Sequence, residues 1–168
     1  MDDVPALRAL MHRAIGELQR PFLTDAQLAA SHKIMGLDTQ LIADQTYFIV
    51  LRDGALAGCG GWSRRNTLYG GDHSPGRDAA LLDPARDAAR VRAMYTHPDH
   101  VRRGVGRLIL SLCEQAAARE GFIRVELAAT LAGQALYESA GCAALRHFEE
   151  PRGGVPVPLI LMGKEIRA

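Results

Sequence analysis

The chain has 168 residues, 48% of them hydrophobic and 23% charged, with a net charge of +1 at neutral pH. That size and composition fit one globular domain over residues 1–168, and the near-neutral charge argues against a dedicated nucleic-acid binder, which needs a basic face. No apolar run reaches the roughly 18 residues of a membrane span, and Met1-Asp2-Asp3 lacks the basic-then-apolar start of a secretory leader, so neither membrane nor export is expected and the cytoplasm is.

A first helix is expected from about Pro5 to Leu18, with Leu7, Met11, Ala14, Ile15 and Leu18 on one face and Asp2 or Asp3 as its cap. Pro21 interrupts the chain after it. Thr24-Asp-Ala-Gln27 then reads as a capping box, with Leu23 and Leu28 as its hydrophobic staple, opening a second helix that stops near Gly36. Thr46–Arg52 and Ala55–Ser63 read as strands joined by the hairpin signal Asp53-Gly54. Residues 64–87 contain several glycines and prolines and no periodicity, a connection of a length that is functional or disordered when it occurs in a compact domain.

A strand over Val91–Thr96 leads into His100-Val-Arg-Arg-Gly-Val-Gly-Arg107 and then an amphipathic helix ending at Gly121. Leu108, Leu112 and Ala116, and beside them Ile109, Cys113 and Ala117, form two apolar rows on that helix. Ile123–Ala128 alternates as a strand does, Leu131–Ala140 is a short helix closed by Gly141, and Cys142–Glu149 and Val157–Lys164 are the last strand candidates. The fold class is therefore α/β (α+β), a mixed central sheet of about six or seven strands flanked by helices. Cys59, Cys113 and Cys142 form no CxxC pair and sit in apolar contexts, as reduced core thiols of an intracellular protein do.

The Arg/Gly turn is the most informative segment. A helix N-terminus presents unpaired N–H groups and partial positive charge, glycines at 104 and 106 let the backbone approach an anion, and Arg102, Arg103 and Arg107 add charged donors. A mononucleotide-binding loop is excluded because GxxxxGK followed by Ser or Thr is absent. A nucleic-acid contact at this turn is disfavoured by the net charge and the lack of interleaved aromatics.

The succession of strand, Arg/Gly turn, amphipathic helix and strand, followed by Ala135-Leu-Tyr-Glu-Ser-Ala-Gly141, resembles the GNAT superfamily of acyl-CoA-dependent N-acyltransferases over residues 91–148. The upstream hairpin and helices fit the same plan, with the family's first strand short or absent. The resemblance implies acetyl-CoA as cosubstrate, an amine as acceptor and no metal. Backbone groups of Met94, Tyr95 and Thr96 would pair with the pantetheine arm, and the amides of Arg102, Arg103, Gly104, Val105, Gly106 and Arg107 would hold the pyrophosphate. Val101 stands where the family often has Gln or Arg, which removes one side-chain contact. Thr130 stands where Asn is frequent, and its hydroxyl keeps a weaker contact to the cofactor arm.

The implied reaction is attack by a neutral amine on the thioester carbonyl with CoA thiolate leaving, the amide of Tyr95 or a neighbour donating to the developing oxyanion. Tyr137 matches the family tyrosine that protonates the thiolate, and its ordinary pKa of about 10 keeps it protonated. The alternative is a ring that packs on the sheet and only hydrogen-bonds. The general base is open among Glu126, His97 (where a turn role before Pro98 is the better reading) and Tyr95 with a water chain. Substrate recognition is expected of the N-terminal helices, residues 64–87 and the last hairpin; Trp62, Asp72 and His73 are candidate shapers of an amine pocket, with turn chemistry an equal reading for Asp72 and His73, and Arg64 and Arg65 read as a solvated face. An acyl-CoA-binding sensor of the same fold is the alternative to an enzyme, and a homodimer through the last strands is compatible with the sequence.

Overall fold

A computed structural model describes residues 3–167. Three helices come first: α1 (Val4–Leu18), α2 (Asp25–Ile34) and the short α3 (Thr39–Ala43). Strands β1 (Tyr47–Arg52), β2 (Ala55–Ser63) and β3 (Ala89–Thr96) come next, then a 3-10 turn at Pro98–His100 and helix α4 (Val105–Arg119). The chain closes with β4 (Arg124–Thr130), α5 (Gln134–Ser139), β5 (Ala143–Glu150) and β6 (Val157–Glu165). The strands form one six-stranded mixed sheet in the order β1-β2-β3-β4-β6-β5, as the alternating pattern of strands and helices implies.

Local chemistry explains the helix starts. Thr24 and Gln27 exchange the two hydrogen bonds of a capping box at the head of α2. Asp3 precedes α1 but makes no side-chain cap, and Asp2, the other candidate, lies outside the described residues. Helix α3 has no signal in the sequence pattern: it is five residues long, too short to show a period, and begins where the Asp38 side chain accepts from the Gln40 N–H.

The helices cover both faces. Val105, Ile109, Leu110, Cys113 and Ala117 of α4 join Trp62, Val91, Val125, Leu127 and Met162 in the main core. Leu7, Leu10 and Met11 of α1 close a second core with Leu37 and Cys59. The two apolar rows of α4 are not equal: Leu108 is half exposed, and burial falls on Ile109, Leu110, Cys113, Ala117 and Ala118 instead.

One irregularity opens the sheet. Strands β3 and β4 run parallel but pair only at Ala89/Val125 and Arg90/Glu126. Beyond that point they separate, because Ala93 bulges out of the β2–β3 ladder with a positive φ of 49° and bends its strand. The Tyr47 hydroxyl donates to the Ala93 carbonyl at 2.9 Å and holds the bulge in place. No described helix is long and apolar enough to cross a membrane.

Candidate active site

A cleft of about 740 Å³ opens in the gap between the separated ends of β3 and β4. One wall is β3 from Val91 to Thr96, the other is β4 at Leu127, Ala128 and Thr130, and the turn before α4 closes one end. At that end Arg102 and Gly104 both take positive φ, 59° and 81°. Gly104 is the N-cap of α4, and a Cβ built on it meets nothing within 4 Å, so the backbone faces open space. The first intrahelical bond is from Leu108 N–H to Gly104 C=O at 3.0 Å, which leaves the amides of Val105, Gly106 and Arg107 unpaired at the helix's positive end. At Gly106 a Cβ would lie 2.7 Å from the Leu136 Cδ2 atom, so any larger residue there makes the Leu136 side chain on α5 shift. These residues can hold a diphosphate through backbone donors alone.

The side chains of the turn do less than its backbone. The Arg107 guanidinium is engaged with the Ser139 hydroxyl at 3.0 Å, and Arg103 does not line the cleft, whereas Arg102 does. Met94, Tyr95, Thr96, Gly104, Val105, Gly106 and Thr130 all line it. Just past β3, His97 N–H donates to Ala57 C=O on β2 at 2.9 Å. Strand alternation then directs the Tyr95 amide toward β2 as well and turns the Thr96 amide into the gap, so the free donor is the neighbour of Tyr95. The Thr130 hydroxyl accepts from Gly133 N–H at 3.2 Å, tying the end of β4 to the start of α5.

Tyr137 lies in the middle of the cleft, 8% exposed. Burial pushes its hydroxyl well above the ordinary tyrosine value, so it is protonated throughout the neutral range. Its Oη donates to the Met94 Sδ atom at 3.7 Å, a weak acceptor that leaves the proton easy to redirect.

Beyond Tyr137 the cleft continues into an apolar lobe under α1, with Ala14, Ile15, Leu18, Phe22, Met35 and Leu68 as walls. Arg92 borders it, almost fully buried, with Nη1 on Asp38 at 2.5 Å; Arg77 reaches the other Asp38 oxygen at 2.6 Å. Tyr69, also a lining residue, donates to the buried Glu150 carboxylate. The sequence points to the N-terminal helices and residues 64–87, which carry most of these side chains, but singles out none of them. The face of α1 is legible, but as core, and the ion pairs join residues too far apart in sequence for any pattern to connect them.

Trp62, Asp72 and His73 do not line the cleft. Trp62 is 2% exposed and packs edge-on to Phe122 in the main core, where burying a large apolar ring is most favourable. Asp72 accepts from the Thr39 amide at 2.9 Å and pairs with Arg77, so it organises the start of α3. His73 packs against Gly36. Neither Glu126 nor His97 lines the cleft: Glu126 is held by Arg90, and His97 caps the 3-10 turn by accepting from Asp99 N–H. Arg64 and Arg65 are not free surface charges, since Arg64 pairs with Glu120 at 2.5 Å and Arg65 with Asp44 at 2.7 Å.

Comparison with known proteins adds to this geometry. The model of the acetyltransferase (GNAT) family matches residues 11–142. No curated protein matches the sequence. Among solved structures, a GCN5-related N-acetyltransferase from Rhodopseudomonas palustris aligns with TM-score 0.72 and 17% identity, over 98% of this chain and 91% of that one. YncA, a putative acetyltransferase from Salmonella typhimurium with its cofactor acetyl-CoA, aligns with TM-score 0.62 and 18% identity, over 99% and 90%. The PaiA N-acetyltransferase from Thermoplasma acidophilum in complex with coenzyme A aligns with TM-score 0.61 and 11% identity, over 98% and 93%. At these identities the likeness is one of fold.

Proposed function

The chain belongs to the acetyltransferase (GNAT) family, and from that premise we propose that it carries an acetyl group from acetyl-CoA to a primary amine by direct attack within a ternary complex. The observation that carries this reading is the continuity of one cleft from the unpaired amides of α4, past Thr96 and Tyr137, to a separate apolar lobe. Structures of the same fold that bind coenzyme A or acetyl-CoA support the choice of cosubstrate.

When bound, acetyl-CoA supplies an activated acyl carbon and a thiolate leaving group. The backbone of Gly104–Arg107 holds the diphosphate, and the open edge of β3 pairs with the pantetheine arm as an added strand does. The Thr96 amide faces the carbonyl oxygen, where negative charge grows during attack. The proton held on Tyr137 Oη is donated to the departing sulfur, and the surplus proton of the acylated nitrogen returns to the Tyr137 oxygen, so amide and thiol leave with the hydroxyl restored. The three cysteines are free and buried, which fits the reducing compartment, the cytoplasm, that we assign.

One observation favours a second reading, a sensor that binds acyl-CoA without transferring the acyl group: among the described residues, no carboxylate lines the cleft to act as base. Calorimetric titration with acetyl-CoA and with CoA, followed by a thiol-release assay over an amine library, tests both. Saturable binding with turnover is the expected result. Binding without turnover of any amine leaves the sensor, and no binding at millimolar ligand refutes both.

A further inference from the structure

We infer that the acceptor is a small primary amine carried on an apolar aliphatic or aryl body, and that amines with further cationic groups are excluded from the lobe. This rests on the acetyltransferase reading and concerns only the end of the cleft remote from the cradle. The walls there are Ala14, Ile15, Leu18, Phe22, Met35 and Leu68, with Gln19, Tyr69 and Arg92 as the polar side chains. Among the described residues no Asp or Glu lines any part of the cleft, and the basic side chains that do are the arginines at 92, 102 and 107 and His100, which sits beside Val101 and Arg102 at the α4 end.

Two carboxylates stand behind the lining, and both are already committed. Asp38, fully buried, lies between Arg77 at 2.6 Å and Arg92 at 2.5 Å. Glu150, 1% exposed, is gripped by Arg152 at 2.5 Å and by the Tyr69 hydroxyl. A second ammonium entering the lobe would therefore lose its water and meet an apolar wall whose nearest charge, Arg92, is a cation, with no free anion to replace the hydration. A single amine on a hydrocarbon body meets the opposite balance. Its body is buried against matching surface, and the same surroundings favour the uncharged amine, the form that attacks. The lack of a carboxylate base thus becomes a selection for acceptors that reach the site neutral.

The test is a thiol-release assay at saturating acetyl-CoA with 2-phenylethylamine, spermidine and a lysine-rich peptide as acceptors. The expected kcat/KM for 2-phenylethylamine exceeds that for spermidine and for the peptide by at least about tenfold, the scale of discrimination an unmatched buried group imposes. Phe22, 52% exposed at the lobe, gives a variant that leaves the fold alone. Phe22→Glu places a carboxylate in the lining, and it is expected to narrow the gap with spermidine by roughly tenfold while the Kd of acetyl-CoA stays unchanged. Faster turnover of spermidine or of the peptide by the wild-type chain overturns the assignment, as does turnover of no amine in a protein that binds acetyl-CoA. Calorimetric binding of acetyl-CoA reports the parent reading separately, so loss of one is not mistaken for loss of the other.

Discussion

At Gly104 the constraint is conformation and field, not space. Its φ is 81°, and an added Cβ would touch nothing within 4 Å. Gly104→Ala is expected to cost about 1 kcal/mol, the penalty of the left-handed region, read by chemical denaturation. Its acetyl-CoA affinity should change little. Gly104→Asp carries the same backbone cost and adds negative charge where the amides of Val105, Gly106 and Arg107 are unpaired, so acetyl-CoA binding should weaken at least about tenfold. Equal Kd values for the two variants would remove the diphosphate seat. Tyr137 gives the complementary case. Among the described residues its hydroxyl has one hydrogen-bond partner, the Met94 thioether, so Tyr137→Phe should leave acetyl-CoA affinity intact while kcat drops by roughly tenfold to a hundredfold. Burial raises the Tyr137 hydroxyl above its ordinary value, and that value sets the lower bound of the pH at which its proton is lost. The pH profile of kcat/KM should accordingly rise along the acceptor's ammonium ionisation and show no falling limb from this residue below about pH 10. A limb falling between pH 7 and 9 that disappears in Tyr137→Phe would contradict this.

At the scale of elements, the cleft exists because β3 leaves β4 after two paired residues, and the departure depends on one bulge. The Ala93 φ of 49° is costly for a residue with a Cβ, and the Tyr47 hydroxyl bond offsets part of that cost. Tyr47→Phe is therefore expected to lower stability by about 1 kcal/mol and to loosen acetyl-CoA binding several-fold, because the bulge aims the β3 edge at the cleft. Unaltered binding in a destabilised variant would separate the bulge from the site. Nothing in Val91-Arg-Ala-Met-Tyr-Thr96 announces this bend, since alanine has no preference for positive φ. The strand and the turn after it are legible from β pattern and glycine spacing, both local signals. The apolar lobe is not. Ala14, Ile15 and Leu18 have the same spacing whether they face a core or a cavity, and sequence periodicity does not distinguish the two. Trp62 shows the same ambiguity in reverse: an aromatic at the end of a strand suits a pocket or a core, and the packing of Phe122 against it decides for the core.

Across the whole molecule, the long connection between β2 and β3 is held by side chains and by scattered backbone bonds, such as Asn66 N–H to Ala80 C=O and Asp72 N–H to Leu37 C=O, rather than by regular secondary structure. An isolated bridge, Arg65 to Leu81, is its one strand-like pairing among the described residues. Arg77 ties it to Asp38, and Arg92 on β3 donates to the Gly70 carbonyl at 2.8 Å. The strongest tie reaches the far end of the sheet. Glu150, at the end of β5, receives Arg152 Nε and backbone N–H, each at 2.8 Å, and the Tyr69 hydroxyl, while Arg152 Nη1 continues to the Pro75 carbonyl at 2.5 Å. Those bonds, Arg152 first, hold the Glu150 carboxyl down at about 2. The unfolded chain binds this proton at the ordinary glutamate value of about 4.3, so the folded state gains stability above that pH and loses it as pH falls toward 2. Glu150→Gln keeps the shape and removes the charge. It should cost about 2 kcal/mol at neutral pH, an amount typical of breaking a partly buried pair. Below about pH 4.5 the wild-type stability should fall toward that of the variant, whose own curve is flatter across the same window. Parallel curves from neutral pH down to about pH 2 would show that the tie carries no stability. The same substitution probes function at a distance. The tethered connection carries Leu68, Tyr69 and Gly70 to the lobe proposed for the acceptor, whereas the proposed diphosphate seat is built on α4 at the opposite end of the cleft. Glu150→Gln should therefore raise the KM of the amine several-fold and leave the Kd of acetyl-CoA where it was, because only one end of the cleft depends on that anchor.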